Sequence, residues 1–459
     1  MITSRTAITA VSVAVLVAGC GSNPATMAEP VTSPSTTATT AAIPAGRGWI
    51  DGEPDWVGTS MTEDGTKLFA GGAPGATTAA ADAAAVVPEA APLPLQPQPN
   101  QQAGLRAGSV DDNADFAAFL AYLARIHDLG ITTRDFDPTG RVVVTVTGAN
   151  GLPAAGAQVS VTASGTEVAS LRTTADGTTR FLPALYGAEQ VAEFTFTTGG
   201  VSAKAAPGSS VALQADVAGG VSGPTALDVL FLLDATGSMG DEIDRLKATI
   251  DTVAAQVGGF ESQPDVRFAM TLYRDQGDAF VTSTFDFTDD IASFRAALND
   301  VVADGGGDYP EALEEGLASG LSTPTWRDPA STLQLVFLVG DAPPHLDRQA
   351  PVEYPAAIVD AISRGIKVFP IASSESDDQA EAVFRQIAAA TGARFVFLSY
   401  GAQGAATGDA TDISSTDYEE LPLDALVVRL IAEELAALTG TQADVPPLTV
   451  PPVTNPAGQ

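Results

Sequence analysis

The sequence predicts an α/β fold: a doubly wound, mostly parallel sheet with helices on both faces, preceded by a small β-sandwich and a disordered tether. Three observations predict it. After Gly223, apolar runs of strand length alternate with amphipathic stretches of helix length, the pattern of strands buried on both faces. Between Arg141 and Val217 the hydrophobic period is two and turn dipeptides interrupt it. Up to about Gln102 the composition is dominated by Ala, Pro, Thr and Gly, which bury too little apolar surface to offset chain entropy.

Taken in order, the chain begins with Arg5 and an apolar run, Ala7 to Val17, too short to span a bilayer. Val17-Ala-Gly-Cys20 follows and resembles the lipobox of bacterial lipoprotein signal peptides. The resemblance implies that residues 1–20 are a leader and that Cys20, the only cysteine, carries lipid on the extracytoplasmic face of a membrane. Residues 21–107 read as the tether, interrupted by Gly48-Trp-Ile-Asp-Gly-Glu-Pro-Asp-Trp56. We read that phrase as a local hydrophobic contact on a folded neighbour in preference to a docking peptide. Residues 108–137 hold a helix: Asp111, Asp112 and Asn113 offer caps, Phe116, Phe119, Leu120, Leu123 and Ile126 recur at threes and fours, and Gly130 ends it. His127, near its end, reads as a surface or packing residue.

Residues 138–219 make the sandwich, with Val142, Val144 and Val146, then Val159 and Val161, Phe194 and Phe196, and Val211 and Leu213 on single faces. Asn150-Gly151, Asp176-Gly177 and Gly199-Gly200 supply its turns. Gly151-Leu-Pro-Ala-Ala-Gly-Ala-Gln-Val159 and Thr174-Ala-Asp-Gly-Thr-Thr-Arg-Phe181 resemble phrases of carboxypeptidase-regulatory-like and bacterial Ig-like sandwiches. That resemblance implies a fold and no chemistry, so a spacer role is expected.

Residues 224–438 make the α/β unit. Its strands are expected at Leu227–Leu233, Val266–Tyr273, Phe280–Phe285, Leu333–Val339, Lys367–Ile371 and Arg394–Leu398. Helices are expected around Ile243–Val257, Ile291–Val302, Glu311–Leu321, Tyr354–Arg364, Asp378–Ala390 and Asp424–Leu438, and residues 439–459 return to a disordered Pro- and Thr-rich tail.

Open α/β sheets bind ligands beyond the carboxyl ends of their strands. Here those exits are acidic and hydroxylic: Asp234-Ala-Thr236-Gly-Ser238-Met-Gly-Asp241-Glu242, Tyr273-Arg-Asp275-Gln-Gly-Asp278, Gly305-Gly-Gly-Asp308-Tyr-Pro310-Glu311, and Gly340-Asp341-Ala-Pro-Pro-His345. Carboxylates and hydroxyls converging on one edge, with no Cys or His cluster, suit a hard cation such as Mg2+, Mn2+ or Ca2+.

Asp234-x-Thr236-x-Ser238 after a buried strand matches the D-x-S/T-x-S signature of the metal-ion-dependent adhesion site of von Willebrand factor A domains, which this unit resembles from about Ala226 to Leu438. The resemblance implies direct ligation by Thr236 and Ser238, with Asp234 and Asp341 as the acidic members, direct or through water. Gly307 stands where many A domains carry a metal-binding threonine. Asp308-x-Pro310-Glu311 instead resembles the D-x-P-E found in the A domains of integrin β chains, which implies Glu311 as the fifth ligand. Asp241, Glu242 and Asp308 are read either as flanking cation ligands or as carboxylates favoured at helix amino termini. The Asp275 and Asp278 loop is a surface turn or the periphery of the site, and His345 a loop residue.

The expected function is that of a lipid-anchored binding protein and not an enzyme, engaging an Asp or Glu carboxylate of a protein partner through the metal. Nucleic acid is excluded, since 56 Asp and Glu face 22 Lys and Arg and no basic patch is present. Two alternatives stand. Asp234 at the exit of an apolar first strand also suggests a phosphotransferase or metal-dependent hydrolase, although Thr236 occupies the general-acid position and no Lys lies in the nearby loops. The other is a structural envelope protein whose sandwich or tether makes the main contact.

Overall fold

Residues 226–234 are apolar at almost every position because the strand they form has a hydrophobic layer on each side. Leu227, Val229, Phe231 and Leu233 enter one core, and Leu230 and Leu232 the other. The structure is a computed structural model and describes residues 50–51, 106–216, 219–220, 225–307, 309–373, 376–399, 421–439 and 443. Cys20, Trp49, Trp56, Asp308, most of the tether and all but Thr439 and Ala443 of the tail lie outside the described residues.

In chain order the first strands are β1 (Ile50–Asp51) and β2 (Arg106–Val110), followed by helix α1 (Phe116–Asp128). The sandwich comprises β3 (Val142–Thr147), β4 (Gln158–Ala163), β5 (Thr166–Arg172), β6 (Thr178–Phe181), β7 (Phe194–Thr198), β8 (Val201–Ala205) and β9 (Ser210–Gln214). Then come β10 (Ala226–Asp234), α2 (Gly240–Val257), β11 (Asp265–Tyr273), β12 (Thr282–Thr288), α3 (Ile291–Asn299) and α4 (Leu313–Ser322). The chain continues through β13 (Thr332–Gly340), α5 (Tyr354–Arg364), β14 (Lys367–Ala372), α6 (Asp378–Thr391), β15 (Phe395–Ser399), β16 (Leu421–Pro422) and α7 (Leu423–Thr439).

The large sheet has nine strands in the order β1-β12-β11-β10-β13-β14-β15-β2-β16. The five from β11 to β15 in that order are parallel, and antiparallel strands close both edges. Side chains of α2, α3 and α7 fill one core, and those of α4, α5 and α6 fill the other. The strand order reverses between β10 and β13, so the crevice beyond their carboxyl ends is the expected ligand position.

One edge differs from the sequence expectation. Arg106 and Ala107, assigned by composition to the tether, belong to β2, which pairs along its whole length with β15. Gly108 is required there, because a Cβ would stand 2.3 Å from the Phe397 ring. The helical segment follows β2 onto the same edge. Asp115 caps α1 by accepting from Ala118 N–H, and Phe119, Tyr122 and Ile126 pack on Ala382 and Ala389 of α6.

Three-stranded β6-β3-β9 and four-stranded β5-β4-β7-β8 face each other in the sandwich. Phe181 of the first sheet meets Phe194 and Phe196 of the second edge-on at 4.7 and 5.8 Å. Strand β5 packs on α5 and β6 on α6, so the sandwich is seated on the α/β unit. It lies in the chain between β2 and β10, two strands of one sheet, and both ends of the insertion are tied down. No helix among the described residues is long and apolar enough to cross a membrane.

Candidate functional site

Strand β10 delivers Asp234 to the carboxyl edge of the sheet with no solvent exposure. The chain then turns sharply, and the Thr236 N–H and hydroxyl both donate to Asp234 Oδ1, at 2.9 and 2.6 Å. The hydroxyls of Thr236 and Ser238 are 3.2 Å apart. A short 3-10 turn, Gly237–Met239, carries the chain into α2, whose first turn holds buried Glu242. The Asp241 side chain lies outside the described parts of the structure.

The loop after α3 is laid across this turn by backbone bonds. Ala235 O accepts from Asp304 N–H at 3.1 Å, and Gly305 O accepts from Gly237 N–H at 3.1 Å. From the neighbouring strand exit, Asp278 Oδ2 accepts from Gly306 N–H at 2.9 Å and from Asp275 N–H at 3.0 Å. Gly306 has φ 72°, and a Cβ there would stand 2.9 Å from Glu311 Oε1 and 3.3 Å from Thr236 Cβ. Glu311 therefore enters the site across the bare backbone of Gly306. It precedes α4 instead of opening it: its backbone bridges Pro344 and donates to Pro343 O at 3.0 Å. That bridge binds the loop of Glu311 to the loop of Asp341.

Gly307 has open space around its Cβ position, whereas a Cβ would stand 2.4 Å from the Asp278 carboxylate at Gly305 and 2.9 Å from Glu311 Oε1 at Gly306. Gly306→Ala should lower the thermal stability of the chelator-treated protein by about 2 kcal/mol, from a left-handed Ala plus the displaced Glu311. Gly307→Ala should change it by less than about 0.5 kcal/mol. Equal melting temperatures for the two variants would contradict this loop geometry.

Electrostatically, the site gathers like charges. Asp234 is pushed up to about 7 by burial first and then by Asp341, against hydrogen bonds from Thr236. Glu311, only 3% exposed, is pushed up to about 9 by burial and by Asp234, Asp275, Asp341 and Asp278. Tyr273 stands beside Asp234 in the sheet register, and burial and the three carboxylates raise its hydroxyl well above its ordinary range. Glu311 Oε2 is buried without a hydrogen bond, while the Tyr273 hydroxyl lies beside the Asp234 carboxylate. Gly340 leaves the space for this arrangement, since a Cβ there would lie 2.4 Å from the Tyr273 hydroxyl and 3.5 Å from Asp234 Oδ2.

The structure thus brings Asp234, Thr236, Ser238, Glu311 and Asp341 to one edge, with Asp275 and Asp278 beside them. His345 is buried between Asp275 at 3.0 Å and Asp347 at 3.1 Å. His127 is exposed and 3.8 Å from Asp128, away from any site. Sequence reasoning misses Tyr273 and Gly306, although the strand-end position of the first and the glycine run around the second carry the signal. Among the described residues no three His, Cys, Asp or Glu side chains converge to hold a metal ion by themselves.

A family model for the von Willebrand factor type A domain matches residues 228–403, which run from β10 past β15. Residues 228–403 are a von Willebrand factor type A domain. The chain is similar to curated relatives over a limited stretch. One is an alpha-protein kinase, vwkA, of Dictyostelium discoideum, 32% identical over 120 residues, 26% of this chain and 19% of that one. Another is von Willebrand factor A domain-containing protein 7 of Mus musculus, 36% identical over 123 residues, 26% of this chain and 12% of that one. Among solved structures, proximal thread matrix protein 1 from the mussel byssus aligns at TM-score 0.30 and 15% identity, over 36% of this chain and 40% of that one. A domains are in general interaction modules, and this one carries its Asp-x-Thr-x-Ser turn at the exit of the first parallel strand.

Proposed function

We propose that the A domain binds a protein partner through a divalent cation, Mg2+ or alternatively Mn2+ or Ca2+, to which the partner contributes an Asp or Glu carboxylate. The observation that carries this reading is that Asp234 and Glu311 are buried at one strand edge beside the Thr236 and Ser238 hydroxyls, with Glu311 Oε2 given no hydrogen bond. Burying uncompensated carboxylates is costly, and a dication supplies the missing charge. Thr236 and Ser238 would hold it through their hydroxyls, Asp234 and Asp341 directly or through water, and Glu311 through a carboxylate oxygen. The two hydroxyls complete the set on this reading. Asp241, Glu242 and Asp308 belong to flanking sites on this reading.

When bound, the ion offsets much of the local negative charge and offers an electrophilic position. The chain carries a formal net charge of -34, so an acidic partner is repelled from the bare site and attracted to the loaded one. Binding then depends on metal. Lipid on Cys20 would present the A domain outside the cytoplasm, at the far end of the tether.

The test is calorimetric titration of Mg2+ into the full chain. Wild type is expected to bind, and Asp234→Ala and Thr236→Ala to lose at least about tenfold in affinity, equivalent to about 1.4 kcal/mol. Unchanged affinity in both variants would discard the ligand set.

A further inference from the structure

The strap between α1 and the sandwich, which lies outside the residues matched by the family, reaches the loop that carries Asp341 through Arg134. Arg134 on this strap is 13% exposed. Its guanidinium grips the Glu314 carboxylate of α4 with two bonds, Nε to Oε1 at 3.1 Å and Nη2 to Oε2 at 2.8 Å. Nη2 also donates to His345 O at 2.9 Å and Arg348 O at 2.8 Å, and Nη1 is 3.3 Å from Glu353. Glu314 is 1% exposed, and its Oε1 also accepts from Tyr354 N–H at 2.9 Å.

Arg134 therefore fastens both ends of the stretch from His345 to Tyr354 to α4, the helix that follows Glu311. The same stretch reaches the site from its other side: His345 Nε2 and Arg348 Nη2 both contact Asp275 Oδ1, at 3.0 and 3.3 Å. The backbone N–H of Asp275 donates to Asp278, which holds Gly306. An unbroken series of contacts runs from the strap to the loop across which Glu311 enters. Only a planar, forked cation satisfies a carboxylate and two carbonyls at once.

We propose that Arg134 is a positioning residue for the cation site, setting the Asp341–Arg348 loop against Glu311, so that the segment upstream of the sandwich is a working part of the site. This rests on the metal-binding reading above. A merely structural Arg134 would raise overall stability and leave metal affinity alone. A control with such a role exists in Gln379, which binds the strap at Thr132 O at 2.8 Å without touching the loop.

The experiment measures Mg2+ affinity and melting temperature of the full chain for wild type, Arg134→Ala, Arg134→Lys and Gln379→Ala, with hydrogen exchange of residues 341–349. Arg134→Lys keeps a charge opposite Glu314 and so guards against simple misfolding. Both Arg134 variants are expected to bind Mg2+ at least tenfold more weakly and to exchange faster across that loop, at a temperature where their far-ultraviolet spectra are native. Gln379→Ala is expected to bind like wild type even if it melts earlier. Wild-type affinity in either Arg134 variant overturns the proposal, as does an equal loss in Gln379→Ala. Absence of Mg2+ binding by wild type itself would instead sink the metal reading and this inference with it.

Discussion

The chelator-treated protein is expected to lose stability as the pH rises from about 5 to about 9, and Mg2+ to restore most of it at the upper end only. Asp234 and Glu311 have folded-state values pushed up to about 7 and about 9, well above the ordinary range near 4 of an unfolded carboxyl. Over that interval the native state keeps protons that the unfolded state has released, so stability falls with pH. The contribution is complete below about 4 and is lost as the pH passes through the folded values. Each tenfold difference in proton affinity amounts to about 1.4 kcal/mol, so the two groups together account for a fall of several kcal/mol between pH 5 and pH 9, read as a Tm lower by on the order of 10 °C or more. A cation competes with those protons, and its effect grows as they leave; at a thousandfold excess over its Kd it contributes about 4 kcal/mol. Asp234→Asn and Glu311→Gln should flatten the pH profile and abolish the Mg2+ increment. A Tm of the chelated wild type that is level or rising up to pH 9 would contradict the buried acid cluster.

How far the sequence discloses this arrangement depends on the range of the signal. Strands β10, β11, β13 and β14 are legible because burial on both faces leaves continuous apolar runs, and the turn after β10 because Asp, Thr and Ser act within five residues of one another. Asp234 and Asp341 are placed for the same reason, the first ending an apolar strand and the second directly following one, whereas Glu311 comes from the loop ahead of α4. Strand β2 carries no such pattern. Arg-Ala-Gly-Ser-Val pairs with a strand almost three hundred residues later, and its one clue, Gly108, acquires meaning only against Phe397. Strand β12, expected at Phe280 to Phe285, runs Thr282–Thr288, because Phe280 leaves the sheet and stacks under Arg274 at 4.5 Å. Arg134 is invisible in the sequence for a deeper reason. A single arginine in a turn has no periodicity, and its partners, from Glu314 to Glu353, are 180 to 219 residues away.

The sandwich reads as a spacer in the sequence, and one buried lysine decides whether it behaves as one. Lys367, at the start of β14, has a side chain only 5% exposed, with Nζ 2.6 Å from Glu434 of α7 and 3.4 Å from Asp176 in the β5–β6 turn of the sandwich. Burial would raise Asp176, yet Lys367 and Arg180, with hydrogen bonds from Thr174 and Thr178, hold it well below the usual carboxylate range. Glu434 lies on the other side of the balance, raised by burial despite the same lysine. Lys367→Met keeps the length of the side chain and removes its charge, leaving Glu434 without its direct partner and Asp176 with Arg180 alone of the two cations that stabilise it. Breaking a buried pair in this way costs about 3–5 kcal/mol, more than most single substitutions. The cost falls on the contact between sandwich and A domain, so the variant should show two thermal transitions where wild type shows one, and Lys367→Met with Glu434→Gln should recover part of the loss. Calorimetry reads both features. Two separate transitions in wild type, or an unchanged Tm in Lys367→Met, would mean that the sandwich is attached only through its chain ends and that the A domain and its acidic edge take no rigidity from it.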